Sequence, residues 1–286
     1  MRLCRFDENR IGIVLEHEIA DVSDALDLLP SQRWPIPHGD LLIANLPKVR
    51  SRAETLAATA PRRKLDAVKL ESPVANPSKI IAAPVNYMKH VEEARADAGI
   101  NFGTDIKTID HYGLFLKSNT SLIGPGDAVR LPALERRMDH EIELAIVIGK
   151  EGYRIPEARA LDYVAGYSVS LDMVIRGTED RSWRKSYDTF SVLGPWLTTP
   201  EEVNDPNNLD FWIKVNGETR QASNTKYLIF GLAKLISYAS QAYRLYPGDI
   251  IMTGTPEGVG PVAPGDTMDC WIDQVGEMRV AVTLAS

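Results

Sequence analysis

Three acidic residues alternate along one largely apolar run of the sequence, residues 139–149. If this run is one β-strand, Asp139, Glu141 and Glu143 share a face, because strand side chains alternate with period two. Neighbouring carboxylates on one face repel each other, and burying them without a partner costs several kcal/mol. A bound cation would relieve the repulsion, whereas a solvated strand end would need none. The spacing leaves both interpretations open.

A histidine and a glutamate three residues apart form a second candidate for chemistry. His90 and Glu93 lie in a helix-prone run and would share one helical face. A carboxylate beside an imidazole can hold one tautomer and raise its basicity, as a general base requires. An ordinary surface pair with this spacing is the alternative.

Other polar residues follow predicted strands or turns. Residues 164–170 read as a buried strand that delivers Asp172 at its end. Lys185 lies among polar turn residues, where it could meet an anionic substrate or simply be solvated. Thr255 follows the predicted strand at residues 250–252, where hydroxyl and backbone N–H groups can bind a carboxylate. A plain turn is the alternative reading for Thr255.

The elements that position these residues are mostly strands. Asn216-Gly217 between two alternating runs predicts a β-hairpin, because this dipeptide favours the type I′ turn. Apolar residues at helical spacing over 232–243 predict an amphipathic core helix. Strands dominate after residue 79, which predicts a mixed, β-rich roll or barrel. Residues 1–70 are predicted to form a separate small unit without chemistry.

The segment at residues 94–112 is polar and is interrupted by Gly99 and Gly103. It lies between His90 and a short predicted strand at residues 113–117. A flexible segment beside a candidate base is typical of an active-site lid. An idle surface loop would have the same composition.

Composition excludes several classes of function. The chain has 286 residues and a net charge of −7, which disfavours a sequence-independent nucleic-acid surface. Two cysteines, Cys4 and Cys270, exclude a disulfide framework or a thiolate zinc site. No signal-peptide or membrane-spanning run is visible, so we expect a reduced, cytoplasmic protein. Gly-rich phosphate loops, nucleophile elbows and His-Glu-x-x-His runs are also lacking, which disfavours nucleotide binding and serine or zinc hydrolysis.

Several motifs occur in a defined order along the chain. They are Asn86-Tyr87-x-x-His90-x-x-Glu93, Glu141-x-Glu143-Leu144, Asp172, Lys185-x-x-Asp188-Thr189-Phe190 and Pro247-Gly248-Asp249-x-x-x-Thr253-Gly254-Thr255-Pro256. Together they resemble the fumarylacetoacetate hydrolase family from about residue 79 to the C-terminus. The resemblance implies a β-roll or barrel catalytic domain over residues 71–286, a small α/β N-terminal domain over 1–70, and a homodimer.

The resemblance also implies a set of site residues. Glu141, Glu143 and Asp172 match the family's metal ligands. Three hard oxygen donors without cysteine suit Mg²⁺, with Mn²⁺ or Ca²⁺ as alternatives. The matching catalytic positions are His90, Glu93 and Lys185. The matching substrate-binding positions are Asn86, Tyr87, Arg176 and Thr255.

By resemblance the chain is a metal-dependent hydrolase of a small oxo acid. It would cleave a carbon–carbon bond in a 2,4-dioxo acid, such as an acylpyruvate or fumarylpyruvate, in the catabolism of aromatic or sugar acids. The alternatives on the same site are 2-oxo acid decarboxylation and isomerisation of a 2-hydroxy-diene-dioate. A non-catalytic β-protein with a structural cation is a third reading, but it would need neither His90 nor Lys185. Glu179 departs from the family, in which several members carry Gln there.

Overall fold

A computed structural model describes residues 1–133 and 135–285. The β-strands are β1 Arg2–Phe6, β2 Arg10–Leu15, β3 Glu18–Asp21, β4 Arg62–Lys64, β5 Leu70–Glu71, β6 Ile80–Ala82, β7 Phe115–Lys117, β8 Leu122–Ile123, β9 Val129–Leu131, β10 Met138–His140, β11 Ile142–Ile148, β12 Val164–Asp172, β13 Val174–Ile175, β14 Ser191–Thr198, β15 Asp210–Val215, β16 Glu218–Asn224, β17 Ile250–Met252, β18 Gly260–Pro261, β19 Thr267–Ile272 and β20 Gly276–Leu284. The α-helices are α1 Leu41–Ala44, α2 Leu46–Ala57, α3 Met88–Ala96, α4 Ala98–Asn101, α5 Ile109–Tyr112, α6 Arg181–Arg184 and α7 Leu232–Ala242. Short 3₁₀ helices cover Ser23–Leu28, Leu65–Ala67, Asn119–Ser121, Glu157–Tyr163, Pro200–Glu202 and Thr225–Tyr227.

Three sheets make up the β structure. The main sheet has the order β4-β3-β2-β1-β14-β12-β11-β17-β6-β7, with β5 on β1 and β8 on β14. A five-stranded sheet runs β16-β15-β19-β20-β9, and a small one runs β13-β10-β18. The mixed, β-rich class is therefore confirmed. Within the described ranges no sheet closes on itself, so the architecture is a roll and the barrel alternative is wrong.

Strand β11 separates two apolar cores. Its even-numbered residues, from Ile142 to Ile148, pack in one core, while Ala145 and Val147 pack in the other. The predicted alternation is thus confirmed, and both faces are buried. The prediction of one continuous strand from residue 139 is wrong, because β10 and β11 belong to different sheets. Glu141 lies at the point where the chain passes from one sheet to the other.

The N-terminal residues extend the main sheet. Strand β1 pairs antiparallel with β14, with Arg2 opposite Thr198. Apolar residues of β1 and β2 share a core with Ala145 and Val147 of β11. The main sheet therefore crosses the boundary expected at residue 70, and the assignment of residues 1–70 as a domain stays a prediction.

The local elements expected in the C-terminal half are present. Asn216 and Gly217 have φ values of 52° and 82°, as a type I′ turn between β15 and β16 requires. Helix α7 buries one apolar face that includes Leu232, Leu235 and Ile236. Strands β19 and β20 form the final hairpin of the chain.

Two further features concern the chain as a whole. None of the helices in residues 1–133 and 135–285 has the length and apolar character needed to cross a membrane. Cys4 and Cys270 are buried free thiols. Burial raises the pKa of Cys4 to about 12, so this thiol is unreactive at neutral pH.

Candidate active site

The pairing of two strands brings three carboxylates together. Glu141 precedes β11, Glu143 lies within it, and Asp172 ends the neighbouring strand β12. The Asp172 N–H donates to the Glu141 carbonyl at 2.9 Å, which fixes the two chains side by side. One oxygen from each side chain lies within 4.8 Å of the others. All three carboxylates, here the carboxylate triad, are buried, so the solvated-strand reading is wrong.

Two buried lysines neutralise part of the carboxylate triad. Lys185 Nζ lies 2.5 Å from Glu141 Oε2 and 2.6 Å from Asp172 Oδ2. Lys117 donates to the other oxygen of Asp172 and, at 2.8 Å, to the Phe190 carbonyl. Lys185 is only 5% exposed, which excludes the solvated alternative. Sequence reasoning missed Lys117, although a lysine that ends an apolar strand is an unusual feature.

The carboxylates differ in their electrostatic environment. Burial alone would raise the pKa of Glu141, but the charges of Lys185 and Arg176 outweigh it and lower the pKa to about 2. Glu143 receives a hydrogen bond from the Gly254 N–H at 2.7 Å. Burial, together with the negative charges of Asp172 and Glu141, raises the pKa of Glu143 well above its ordinary value. Glu143 is therefore the triad member that most lacks a positive partner.

Arg176 links the carboxylate triad to Asp139. Its Nε donates to Asp139 Oδ2 at 2.8 Å, and its Nη2 lies 3.0 Å from Glu141 Oε1. The Nη2 contact is electrostatic, because this buried nitrogen has no well-aligned hydrogen-bond partner among the described residues. Asp139 is further held by Arg137 Nε at 2.8 Å. Two arginines thus hold Asp139 outside the triad, which corrects the expected face of three acids.

The histidine–glutamate dyad is formed as predicted. His90 Nδ1 lies 2.9 Å from Glu93 Oε2 on helix α3, and His90 is 5% exposed. The surface-pair alternative is therefore wrong. Glu93 also accepts a hydrogen bond from the Gly258 N–H at 2.8 Å, which fixes the carboxylate. A carboxylate at Nδ1 favours the tautomer with its proton there, so Nε2 can accept a proton.

One turn, residues 253–258, supports the triad and the dyad together. Gly254 has a φ of +102°, and a Cβ there would lie 2.7 Å from the Asn86 Cβ, so glycine is required. The Thr255 hydroxyl donates to the Ile142 carbonyl at 2.9 Å and accepts from Gln221 Nε2 at 2.8 Å. Sequence reasoning gave Gln221 no role, yet it positions Thr255.

Asn86 and Tyr87 hold the backbone around the site. The Asn86 amide donates to the Thr253 and Phe230 carbonyls at 2.8 and 3.0 Å and accepts from the Phe230 N–H at 2.7 Å. Tyr87 is buried edge-on against Phe211. Neither side chain lines the cavity described next. Their assignment as substrate-binding residues stays a prediction, and their contacts give both a positioning role.

A small cavity of about 50 Å³ is lined by several of the candidate residues. Ala94, Ile100 and Ile106 of the 94–112 segment are among the residues that line it. Glu179 does not line it; both its oxygens pair with Arg136, at 2.7 and 2.8 Å. The charged and polar residues that line the cavity are His90, Glu141, Glu143, Arg176, Arg181, Arg184, Lys185 and Thr255. Sequence reasoning missed Arg181 and Arg184, which carry no signal beyond their charge.

Comparison with known proteins shows the family to which the chain belongs. The chain belongs to the fumarylacetoacetate hydrolase family, since the family model, fumarylacetoacetate (FAA) hydrolase C-terminal, matches residues 79–283. It is 51% identical over 284 residues to maleylpyruvate hydrolase of Aquipseudomonas alcaligenes, with 99% of each chain covered. It is 37% identical over 233 residues to a mitochondrial oxaloacetate tautomerase of Rattus norvegicus, covering 77% of this chain and 71% of the relative.

A solved structure gives a similar result. The maleylpyruvate hydrolase of Sphingobium sp. SYK-6, in complex with manganese(II) ion and pyruvate, is 43% identical with a TM-score of 0.85, and all of both chains are covered. The donor set here fits a divalent metal on its own chemistry. Three buried carboxylates within ligand distance of one another are hard oxygen donors, as Mg²⁺ and Mn²⁺ prefer.

Replacing a member of the carboxylate triad should remove metal binding. We expect Glu141→Gln, Glu143→Gln and Asp172→Asn each to weaken Mn²⁺ binding by at least about 100-fold, because even outer-shell changes cost about 10–100-fold. Isothermal titration calorimetry measures the affinity, with the surface variant Asp162→Asn as the control. Parent-like affinity in all three variants would refute the site.

Glu143→Gln should also stabilise the metal-free protein at higher pH. The raised pKa means that folded Glu143 keeps its proton where the unfolded carboxyl, near 4.5, has lost it. That stabilisation is present below the unfolded pKa and is lost as pH rises through the folded pKa. Thermal unfolding with chelator from about pH 5 to about pH 9 should show a shallower decline for the variant. Matching declines in parent and variant would contradict the assignment.

Asn86→Ala should destabilise the fold. It leaves the buried Thr253 and Phe230 groups without partners, and each unsatisfied group costs about 1–3 kcal/mol. We expect a loss of at least about 2 kcal/mol in the free energy of urea-induced unfolding. The exposed Asn208→Ala serves as the control. A parent-like unfolding free energy for Asn86→Ala would remove its positioning role.

Proposed function

We propose that the protein is a metal-dependent hydrolase that cleaves acylpyruvates to pyruvate and a carboxylic acid. One observation carries the proposal: a single cavity is lined by the candidate base His90 and by two members of the carboxylate triad. The 51% identity to a maleylpyruvate hydrolase over nearly the whole chain supports it and makes maleylpyruvate the first substrate to test.

The carboxylate triad would hold the metal. When bound, a divalent cation supplies a Lewis acid that orients the 2-oxo acid end and stabilises negative charge on the leaving group. Mg²⁺ is the proposed ion because all three donors are hard oxygens, and Mn²⁺ satisfies the same donors. The manganese in the Sphingobium enzyme supports a divalent ion of this size and charge.

His90 would act as the general base. With the Nδ1 proton directed to Glu93, Nε2 takes a proton from water as the water oxygen attacks the distal carbonyl carbon. Glu93 is a positioning residue that orients the imidazole. Its second hydrogen bond, from Gly258, keeps the carboxylate from rotating away.

Cleavage of the carbon–carbon bond then follows. The bond between the distal carbonyl carbon and the adjacent methylene carbon breaks, and its electron pair leaves as the enolate of pyruvate. Lys185 lines the cavity, and its positive charge would stabilise this negative charge. The methylene carbon accepts the proton that His90 removed, which yields pyruvate and the carboxylic acid.

Residues around the cavity would bind and enclose the substrate. Thr255 would bind the substrate carboxylate through its backbone N–H, since its hydroxyl proton is donated to Ile142. A cavity of about 50 Å³ is smaller than an acylpyruvate, so the 94–112 segment must move to admit one. That segment is held by Asp97 on Arg137 at 2.7 Å, a partly exposed ion pair that can open. We assign it the role of a lid that excludes water.

Tautomerisation of an oxo acid is the second candidate function. The oxaloacetate tautomerase relative favours it, with 37% identity over 77% of this chain. Hydrolysis is preferred because the maleylpyruvate hydrolase match is stronger and spans 99% of both chains. The expected decarboxylase and isomerase alternatives use the same site.

Cytoplasmic location and homodimeric assembly complete the proposal. The two buried, free thiols support a reducing compartment. The family resemblance supports the dimer, whose state sedimentation velocity would measure.

His90→Ala should lower the rate of acylpyruvate cleavage by about 10²–10⁴-fold, because a positioned general base usually contributes that much. Pyruvate should still bind the variant in the presence of Mn²⁺, since the triad is intact. Release of pyruvate, coupled to lactate dehydrogenase, measures the rate. The exposed His17→Ala is the matched control. An unchanged rate in His90→Ala would refute the base assignment.

Labelled water separates hydrolysis from the alternatives. In H₂¹⁸O the parent should place one ¹⁸O in the released carboxylic acid, because the water oxygen joins the distal carbonyl carbon. Mass spectrometry of that acid gives the label, with chelated enzyme as the control. Turnover that releases CO₂ or only the tautomer, without ¹⁸O-labelled acid, would overturn the proposed function.

A further inference from the structure

Two arginines of helix α6 line the cavity without an acidic partner. Arg184 Nε donates to the backbone carbonyl of Glu179 at 3.1 Å, and the Arg181 guanidinium lies 4.1 Å from the centre of the Tyr112 ring. Within the described part of the chain, no carboxylate forms an ion pair with either side chain. Both side chains nevertheless face the cavity that holds the candidate catalytic groups.

Three acids of the site are already paired with other cations, and the fourth, Glu143, accepts a backbone N–H. Asp139, Glu141 and Asp172 contact Arg137, Arg176, Lys117 and Lys185. Arg181 and Arg184 therefore add positive charge that the chain itself does not neutralise. Burial, together with the charges of Arg176 and Arg181, lowers the pKa of Arg184 to about 10, which reflects this crowding of cations.

Arg176 contributes a third unsatisfied group. It is 6% exposed, and its Nη2 lacks a hydrogen-bond partner among the described residues. Buried guanidinium nitrogens are normally paired, and a carboxylate matches the planar fork of arginine well. An anion of the substrate would satisfy these donors. In the proposed function the oxo acid carboxylate of an acylpyruvate binds the metal and Thr255, so these donors are left for a second anion.

We infer that Arg181 and Arg184, together with Nη2 of Arg176, form a subsite for a second carboxylate at the acyl end of the substrate. The inference rests on the proposed function and narrows its substrate class to acylpyruvates that carry two carboxylates. Tyr112, stacked on Arg181, belongs to the 94–112 segment, so binding of this carboxylate is coupled to closure of the lid.

A pair of substrates tests the subsite. Arg184→Gln and Arg181→Gln should each lower kcat/KM for maleylpyruvate by about 10–100-fold, because hydrogen bonds to charged groups contribute about 1.5–3 kcal/mol. The same variants should lose much less activity on acetylpyruvate, which lacks the distal carboxylate. Arg184→Lys should recover part of the maleylpyruvate activity by restoring the charge. Arg159→Gln, at an exposed surface pair, is the control.

Two outcomes in this assay would overturn the inference. An equal loss on both substrates would make the arginines structural, and an unchanged kcat/KM on both would remove them from recognition. If the parent cleaves neither substrate, the proposed function fails. The binding experiment described next then tests the subsite separately.

Binding tests the subsite without turnover. Calorimetry with Mn²⁺ and pyruvate present compares maleate with isocrotonate, in which a methyl group replaces one carboxylate. The parent should bind maleate at least about 10-fold more tightly than isocrotonate, and Arg184→Gln should lose that preference. Equal affinity of the parent for both ligands would overturn the subsite.

Discussion

The burial of three like charges at one point of the main sheet is the constraint on which the site depends. The carboxylate triad sits where β11 begins beside the end of β12, and all three members are buried. Burying such a cluster costs free energy unless nearby cations neutralise its charge. Lys117 and Lys185 neutralise part of the charge. The buried Glu143 forms no ion pair with any described residue and accepts a hydrogen bond from a backbone N–H. A divalent cation completes that balance and explains why the cluster is tolerated.

The fold connects this cluster to the candidate base through one short segment. The 253–258 turn donates from Gly254 to Glu143 and from Gly258 to Glu93. Asn86 holds the same turn from the start of helix α3, which carries His90. The relative position of acid cluster and base is therefore fixed by backbone hydrogen bonds, which is the preorganisation that catalysis needs.

Local sequence patterns predicted the parts of the site that depend on local geometry. The spacing of His90 and Glu93 gave the dyad, and alternation gave the faces of β11. Asp139 was misplaced because periodicity does not show which strands pair, and the chain changes sheets at Glu141. Lys117 and Arg184 reach the site through tertiary packing, and the unusual position of Lys117 at the end of a strand does not show which residues it contacts. The strand pattern placed Asp172 at a strand end, but its metal-binding role was predicted only through the family motif.

The location of a bound metal tests the central claim most directly. Crystals of the parent grown with Mn²⁺ would give an anomalous difference peak that marks the ion. Our account predicts one strong peak within coordination distance of carboxylate oxygens of Glu141, Glu143 and Asp172, which is about 2.0–2.6 Å for hard cations bound by oxygen. A peak elsewhere, or no peak at a saturating Mn²⁺ concentration with Lys185 still bridging Glu141 and Asp172, would contradict it.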